Sequence, residues 1–255
     1  IVTPVRDQNL TRQEEISYLK SNGIDLDWEK AKYSINKGLW GTSVGGDETL
    51  TSDLALPESA YPSQLKTKTP QTIALTFEKG ELTAIDGKEN TSEVLIQQLN
   101  DVGSKYAIGR DIHVGDTIVG IKGRVGFEAA AALITVKAHH LLEKHTLTKW
   151  QLQHKDYLSN FYGMHLHEGQ YLDPVMRDME AFLASSQTCV SGVVEVVLKP
   201  YHFSINGIKS PHDLMNAKFG SYGEVNSGWT AEEAKGFIKI NGNQNKIHQQ
   251  VNSDI

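Results

Sequence analysis

The chain has a single cysteine, Cys189, among 255 residues. One cysteine excludes an internal disulfide and a thiolate metal cage, and suits a reducing cytoplasm. Cys189 precedes a strand-like segment instead of opening a helix, and reads as a buried small hydrophobe. No apolar run reaches the roughly 18 residues of a membrane span. The opening IVTPVRDQNLTR has no charged region ahead of an apolar core, so it does not read as a signal peptide. Positive charge is also short: 25 Lys and Arg against 31 Asp and Glu give a net charge of −6. That balance argues against nucleic acid or an anionic membrane as the main partner.

Several chemical signatures are missing too. The chain has no G-x-x-x-x-G-K-[ST], no strand–GxGxxG–helix unit and no HExxH. A nucleophile elbow is not expected, and Cys189 is not placed as a nucleophile. Ten histidines invite a metal reading. His165 and His167 would share a face if that segment were extended, and His139, His140 and His145 fall in one helix. A zinc site needs three or four converging ligands, and nothing in the spacing supplies them, so no metal site is expected.

What is present is a soluble globular composition, 39% hydrophobic and 22% charged, long enough to bury a full core. Ile1 to Val5 reads as a short strand, and a start at Ile1 without methionine reads as a fragment or processed product. Thr11 and Glu14 form a capping box for a helix with Ile16 and Leu19 on its buried face, closed at Gly23. Residues 25 to 70 are the least regular, with Pro57, Pro62 and Pro70 marking a long connector. QTIALTF and LTAID alternate around Glu78-Lys79-Gly80-Glu81, a hairpin signal. Thr91 or Ser92 caps a helix bearing Val94, Leu95, Leu99 and Val102. Later come a helix from Thr148, another opened by Asp173-Pro174, a strand from Val190 to Leu198 paired with Tyr201 to Ile205, and a short helix at Ser210-Pro211. A second capping box, Thr230 with Glu233, precedes GFIKI. Strands and helices do not alternate strictly, which predicts an α+β fold: a mixed sheet with helices packed on it, preceded by a short αβ piece.

The stretch from Ala107 to Leu147 organises the rest. It reads as an alternating segment around a turn at Val114-Gly115-Asp116, then a loop from Lys122 to Phe127, then a long helix. Lys122 and Arg124 flank Gly123, placed either to meet an anion or to pair with a neighbouring carboxylate. Gly41-Thr42-Ser43-Val44-Gly45-Gly46 is either a holder of carboxylate or phosphate or a plain flexible turn.

These segments together resemble the C-terminal two-thirds of argininosuccinate synthase. PVRDQNLTRQEEISYLKSNGI resembles the tail of that family's nucleotide-binding domain. YSINKGLWGTSVGG resembles its YSIDENLWGRSIEGG-type segment, and LNDVGSKYAIGRDIHVGDTIVGIKGRVGFE its VEN…KSR…YE segment. HEGQYLDP, SPHDLMN and EEAKGFIKI match later signposts in order. The resemblance divides the chain into residues 1–25, a tail of the nucleotide-binding domain; 26–230, the citrulline-binding synthetase domain; and 231–255, a multimerisation arm.

The family's enzyme joins citrulline to aspartate with ATP, usually with magnesium, in arginine biosynthesis. Its SGGLDTS-type pyrophosphate loop belongs to an N-terminal domain and does not occur here. The resemblance therefore implies no catalytic residue in this chain, no ATP or magnesium bound by it alone, a cytoplasmic setting and a homotetramer. It assigns citrulline binding to Ser34 and Ser43, and to two positions that depart from the pattern. Gly115 stands where the family has glutamate, and Phe127 where it has tyrosine. Either Asp116 takes over the carboxylate's role, or the substrate's α-amine is masked, for example by acylation. Arg124 matches the arginine of KSR and reads as loop support first, ligand contact second. A different class of function, a non-catalytic oligomerisation or binding module that keeps the fold, stays open beside the ligase.

Overall fold

A computed structural model of the protein describes residues 1–24, 26, 28, 33–216 and 228–253. The expected domain boundary at residue 25 lies outside the described residues. Helix α1 (Pro4–Asp7) replaces the expected opening strand. Proline at its first turn explains why: the fixed φ suits a helix start, where the missing N–H costs nothing. Helix α2 (Arg12–Ser21) begins at the Thr11–Glu14 capping box, with the Glu14 carboxylate accepting from the Thr11 N–H at 2.7 Å. Those bonds from Thr11 hold the Glu14 carboxyl below the usual range.

Two sheets form the body, and all their described pairings are antiparallel, so the α+β class holds but the expected mixed sheet does not. The first contains β1 (Ser34–Lys37), β2 (Thr42–Gly45), β6 (Arg110–Asp116) and β7 (Lys122–Glu128), in the order β1-β2-β7-β6. The second contains β3 (Gln71–Glu78), β4 (Glu81–Ile85), β5 (Lys88–Glu89), β8 (Gly192–Lys199) and β9 (His202–Lys209), in the order β5-β4-β3-β8-β9. The Lys79-Gly80 hairpin forms as read, with positive φ at both residues.

The main core lies between the second sheet and two helices, α3 (Ser92–Ser104) and α4 (Ala130–Thr146). Alternation selects the buried face of β8: Val194, Val196 and Leu198 are sealed, while Val193 and Glu195 are exposed. Leu95 and Leu99 of α3 and Ile134, Ala138 and Leu142 of α4 meet them. Helix α5 (Lys149–His167) starts at a Thr148–Gln151 capping box, and α6 (Pro174–Ser186) at Asp173, whose carboxylate accepts from the Val175 N–H. His165 and His167 lie in the last turn of α5, not on an extended segment. Ser210-Pro211 leads only to a 3₁₀ turn at Leu214–Asn216. Cys189 is exposed, not buried, because the turn before β8 points it outward while Val190 enters the core. Two short helices, α7 (Ala231–Asn241) and α8 (Asn243–Val251), end the described chain, and neither has a buried residue.

Beneath α4 and α5 lies a polar knot. Glu143 is fully buried and paired with Lys155 at 2.6 Å, and its other oxygen accepts from the Gln187 amide at 2.8 Å. His139 contacts Gln187 at 2.9 Å, and its burial pulls the imidazole below the ordinary value of 6.5 despite the neighbouring Glu143. A depressed pKa means that the unfolded chain takes up a proton that the folded chain resists. This contribution to stability is complete above about pH 6.5 and is lost as the pH falls below it. His139→Gln should flatten that loss, measured by urea unfolding at pH 7.5 and 5.5; an unchanged pH dependence would count against it.

Candidate functional site

The first sheet carries every sequence-derived site residue. The segment from Lys122 to Phe127, expected as a loop, is strand β7, and the turn lies at Thr117 to Ile121 instead of at Val114-Gly115-Asp116. Thr117 closes that turn: its hydroxyl donates to the Ile121 carbonyl at 2.6 Å and its N–H reaches the same oxygen. Gly41 to Gly45 is likewise not a flexible turn, since Thr42 to Gly45 form β2. Those five residues do spell G-x-S-x-G. What excludes a nucleophile elbow is therefore structural, because Ser43 lies mid-strand between antiparallel neighbours and not at a strand-to-helix turn.

Register decides which side chains share a face, because directly paired residues project to the same side and successive residues alternate. Asn36 pairs with Ser43, Ser43 with Phe127, and Phe127 with Asp111, giving one row across all four strands. Ser34, two residues from Asn36, pairs with Gly45 on the same face. His113 and Gly115 follow Asp111 at steps of two and pair with Val125 and Gly123. Ser34, Ser43, Gly115 and Phe127 therefore share one face. Asp116 falls on the other, with Ile112 and Val114, and forms an ion pair with its cross-strand partner Lys122. Both partners are largely exposed, so the pair contributes little.

That second face packs on a small core of Val44, Leu56 and Ala60, with Tyr33, Tyr61 and Ile112 against it. Gly126 makes the packing feasible: a Cβ there would lie 2.2 Å from the Leu56 Cδ1. Arg124 ties the irregular connector to the sheet, its Nη1 donating to the Glu48 and Thr51 carbonyls at 2.7 Å and its Nη2 to Leu54 at 2.8 Å. Arg110 does the same from β6, holding Glu128 at 3.2 Å, Glu58 at 2.6 Å and the Ser63 carbonyl, with Tyr61 stacked 4.7 Å away. Burial pushes the Tyr61 phenol up, with Arg110 opposing. A cavity of about 170 Å³ opens beside Glu128 between Lys37, Thr42, Ser63 and Asn100, and none of the four site residues lines it.

The shared face is the open one. Its polar groups are the Ser34 and Ser43 hydroxyls, Asn36, Asp111 and His113. The Asp111 carboxylate accepts from the Ile112 N–H at 2.7 Å. It also sits four residues from Gly115, about 13 Å along the strand. His113 crosses Phe127 edge-to-face, with centroids 6.1 Å apart and an interplanar angle of 81°. Sequence reasoning missed Asn36, Asp111 and His113, although counting back by two from Gly115 would have found His113 and Asp111. Among the described residues, no group of three or more His, Cys, Asp or Glu could hold a metal ion, and no helix is long and apolar enough to cross a membrane.

The candidate site thus lies on the polar open face of a four-stranded antiparallel sheet, next in the fold to a five-stranded sheet covered by helices. Residues 33–248 match the family model described as the arginosuccinate synthase C-terminal domain. Argininosuccinate synthase from Methanocaldococcus jannaschii is 32% identical over 252 residues, covering 98% of this chain and 63% of the relative. That from Dictyoglomus turgidum is 37% identical, with 97% and 63% covered, and that from Xanthomonas campestris pv. campestris 34%, with 99% and 65% covered. The chain belongs to the argininosuccinate synthase family. It spans about two-thirds of the length of these relatives, and what it matches is their C-terminal part.

Arg124 contacts backbone carbonyls of the connector, which makes it a scaffold residue. Arg124→Ala should lower unfolding stability by about 2 kcal/mol without any ligand present. Arg124→Lys should recover less than half, since an ammonium cannot reproduce the fork. A loss under about 0.5 kcal/mol in urea unfolding would contradict a scaffold role.

Proposed function

We propose that this chain is the substrate-binding and oligomerisation part of a ligase that condenses a citrulline-type substrate with aspartate at the expense of ATP. The observation that carries this is the single face holding Ser34, Ser43, Gly115 and Phe127 together. ATP and magnesium are read as belonging outside this chain. In support, the sequence carries neither G-x-x-x-x-G-K-[ST] nor a strand–GxGxxG–helix unit, and no group of three or more His, Cys, Asp or Glu that could hold a metal occurs among the described residues. Those groups are assigned to the part of the family enzyme that this chain does not span, and no step is routed through them.

The chain's own contribution is positioning. Ser34 and Ser43 offer hydroxyls that can donate to and accept from a polar substrate, and β2 fixes Ser43 beside Phe127. Free citrulline brings an α-ammonium, which needs a carboxylate once it leaves water. Gly115 provides none, Asp116 lies on the opposite face engaged with Lys122, and Asp111 is displaced by about 13 Å along the strand. An Nα-acylated citrulline has an uncharged amide there, and the glycine leaves room for the acyl group. On this reading acylation removes the need for a carboxylate at that position. The full-length enzyme containing this chain should show at least tenfold higher kcat/KM for Nα-acetylcitrulline than for citrulline, and the chain alone should form no product. Equal or better turnover of free citrulline would contradict the acyl reading, and ATP-dependent product from the isolated chain would contradict its role as a part.

The same reading makes α7 and α8 an arm for neighbouring subunits in a homotetramer. Phe237, Ile238 and Ile240 on α7, with Ile247 and Val251 on α8, are all exposed, and each helix is amphipathic without a buried residue. Light scattering of the full-length enzyme should give a tetramer, and deletion of residues 231–255 a smaller species; an unchanged mass after deletion would reject the arm.

A further inference from the structure

Both departures from the family pattern touch one side chain. A Cβ placed on Gly115 would lie 3.0 Å from Nε2 of His113 and 3.5 Å from its Cδ2. The same ring meets Phe127 edge-to-face at 6.1 Å. His113 thus spans the interval between the two substituted positions, in the space that side chains at Gly115 would enter. It projects from β6 onto the open face, is itself exposed, and forms no hydrogen bond or ion pair with any described residue. The contact with Phe127 is edge-to-face, and neither ring nitrogen is hydrogen-bonded to a described residue, which leaves them to a ligand.

We propose that His113 is a specificity-determining residue, whose imidazole reads the carbonyl of the substituent on the substrate's α-nitrogen. This rests on the acyl-citrulline reading above. A glutamate at residue 115 would present only acceptors, which match an ammonium. An imidazole N–H presents a donor, which matches an amide or acyl carbonyl oxygen. Exchanging a carboxylate for an imidazole on one patch of the sheet therefore removes the negative charge that favours an ammonium and supplies an N–H that a carboxylate lacks. Phe127 fits the same logic. Without a hydroxyl it competes for no hydrogen bond, and it offers an apolar surface to the imidazole.

The test uses the full-length enzyme, with KM and kcat measured for Nα-acetylcitrulline, citrulline and aspartate. His113→Ala should raise KM for Nα-acetylcitrulline about tenfold, with kcat and the aspartate KM within about twofold of wild type. His113→Gln, which keeps an N–H donor, should restore most of that loss. The double change His113→Ala with Gly115→Glu should move the preference to free citrulline. An unchanged KM for Nα-acetylcitrulline in His113→Ala, or an equal rise for both citrullines, would overturn the assignment. The wild-type enzyme separates the two levels: if it already prefers free citrulline, the acyl reading fails first and His113 loses its ligand.

Discussion

Everything at the site depends on the pairing of Ser43 with Phe127 and of Phe127 with Asp111. Side chains alternate with a period of two, so a slip of one residue between β2 and β7 would send Gly115 and Phe127 to the packed face, and a slip in either ladder would bring Asp116 to the open one. The register is held by burial on the opposite side. Val44 is sealed, Ile112 is packed beside it, and Gly126 admits Leu56 where any side chain would exclude it. A small core of three buried residues thereby fixes the chemistry of a face it never touches.

Two arginines extend that control to the connector. Arg110 and Arg124 arise on adjacent strands of one hairpin and point to the packed face. Between them they hold carbonyls at Glu48, Thr51, Leu54 and Ser63, and the carboxylate of Glu58. An irregular segment has few partners of its own for its backbone oxygens, and guanidinium forks supply them. The connector is thus tied to the packed face of the sheet whose open face carries the candidate site.

Local features were legible in the sequence because their physics is local. The capping boxes at Thr11 and Thr230 and the helix starts at Thr148 and Asp173-Pro174 are settled within four residues. The Lys79-Gly80 hairpin is equally short-range, and the alternation of β8 marks its buried face directly. The β7 strand was not legible. Lys122, Gly123, Arg124 and Gly126 look like a loop until they are seen to pair with β6 and, at Gly126, also with β2 some eighty residues earlier. Ile1 to Val5 failed for the opposite reason, since an apolar run suggested a strand while Pro4 set a helical turn. At the site, resemblance to the family pointed to four positions, but only register showed that they share a face and that Asp116 does not join them.

Family membership and geometry then make a joint argument. On the proposed reading the substrate is of citrulline type, and Gly115, at the family's glutamate position on the open face, offers no carboxylate to an α-ammonium. On the same reading His113, beside Gly115 and against Phe127, turns that loss into a change of preference. The most direct measurement is a crystal structure of the full-length enzyme with Nα-acetylcitrulline bound. The substrate should lie on the Ser34–Ser43 face, its acyl carbonyl within hydrogen-bond distance of the His113 imidazole and its acyl group over Gly115. A substrate whose α-nitrogen pairs with Asp116, or which binds away from this face, would contradict the account.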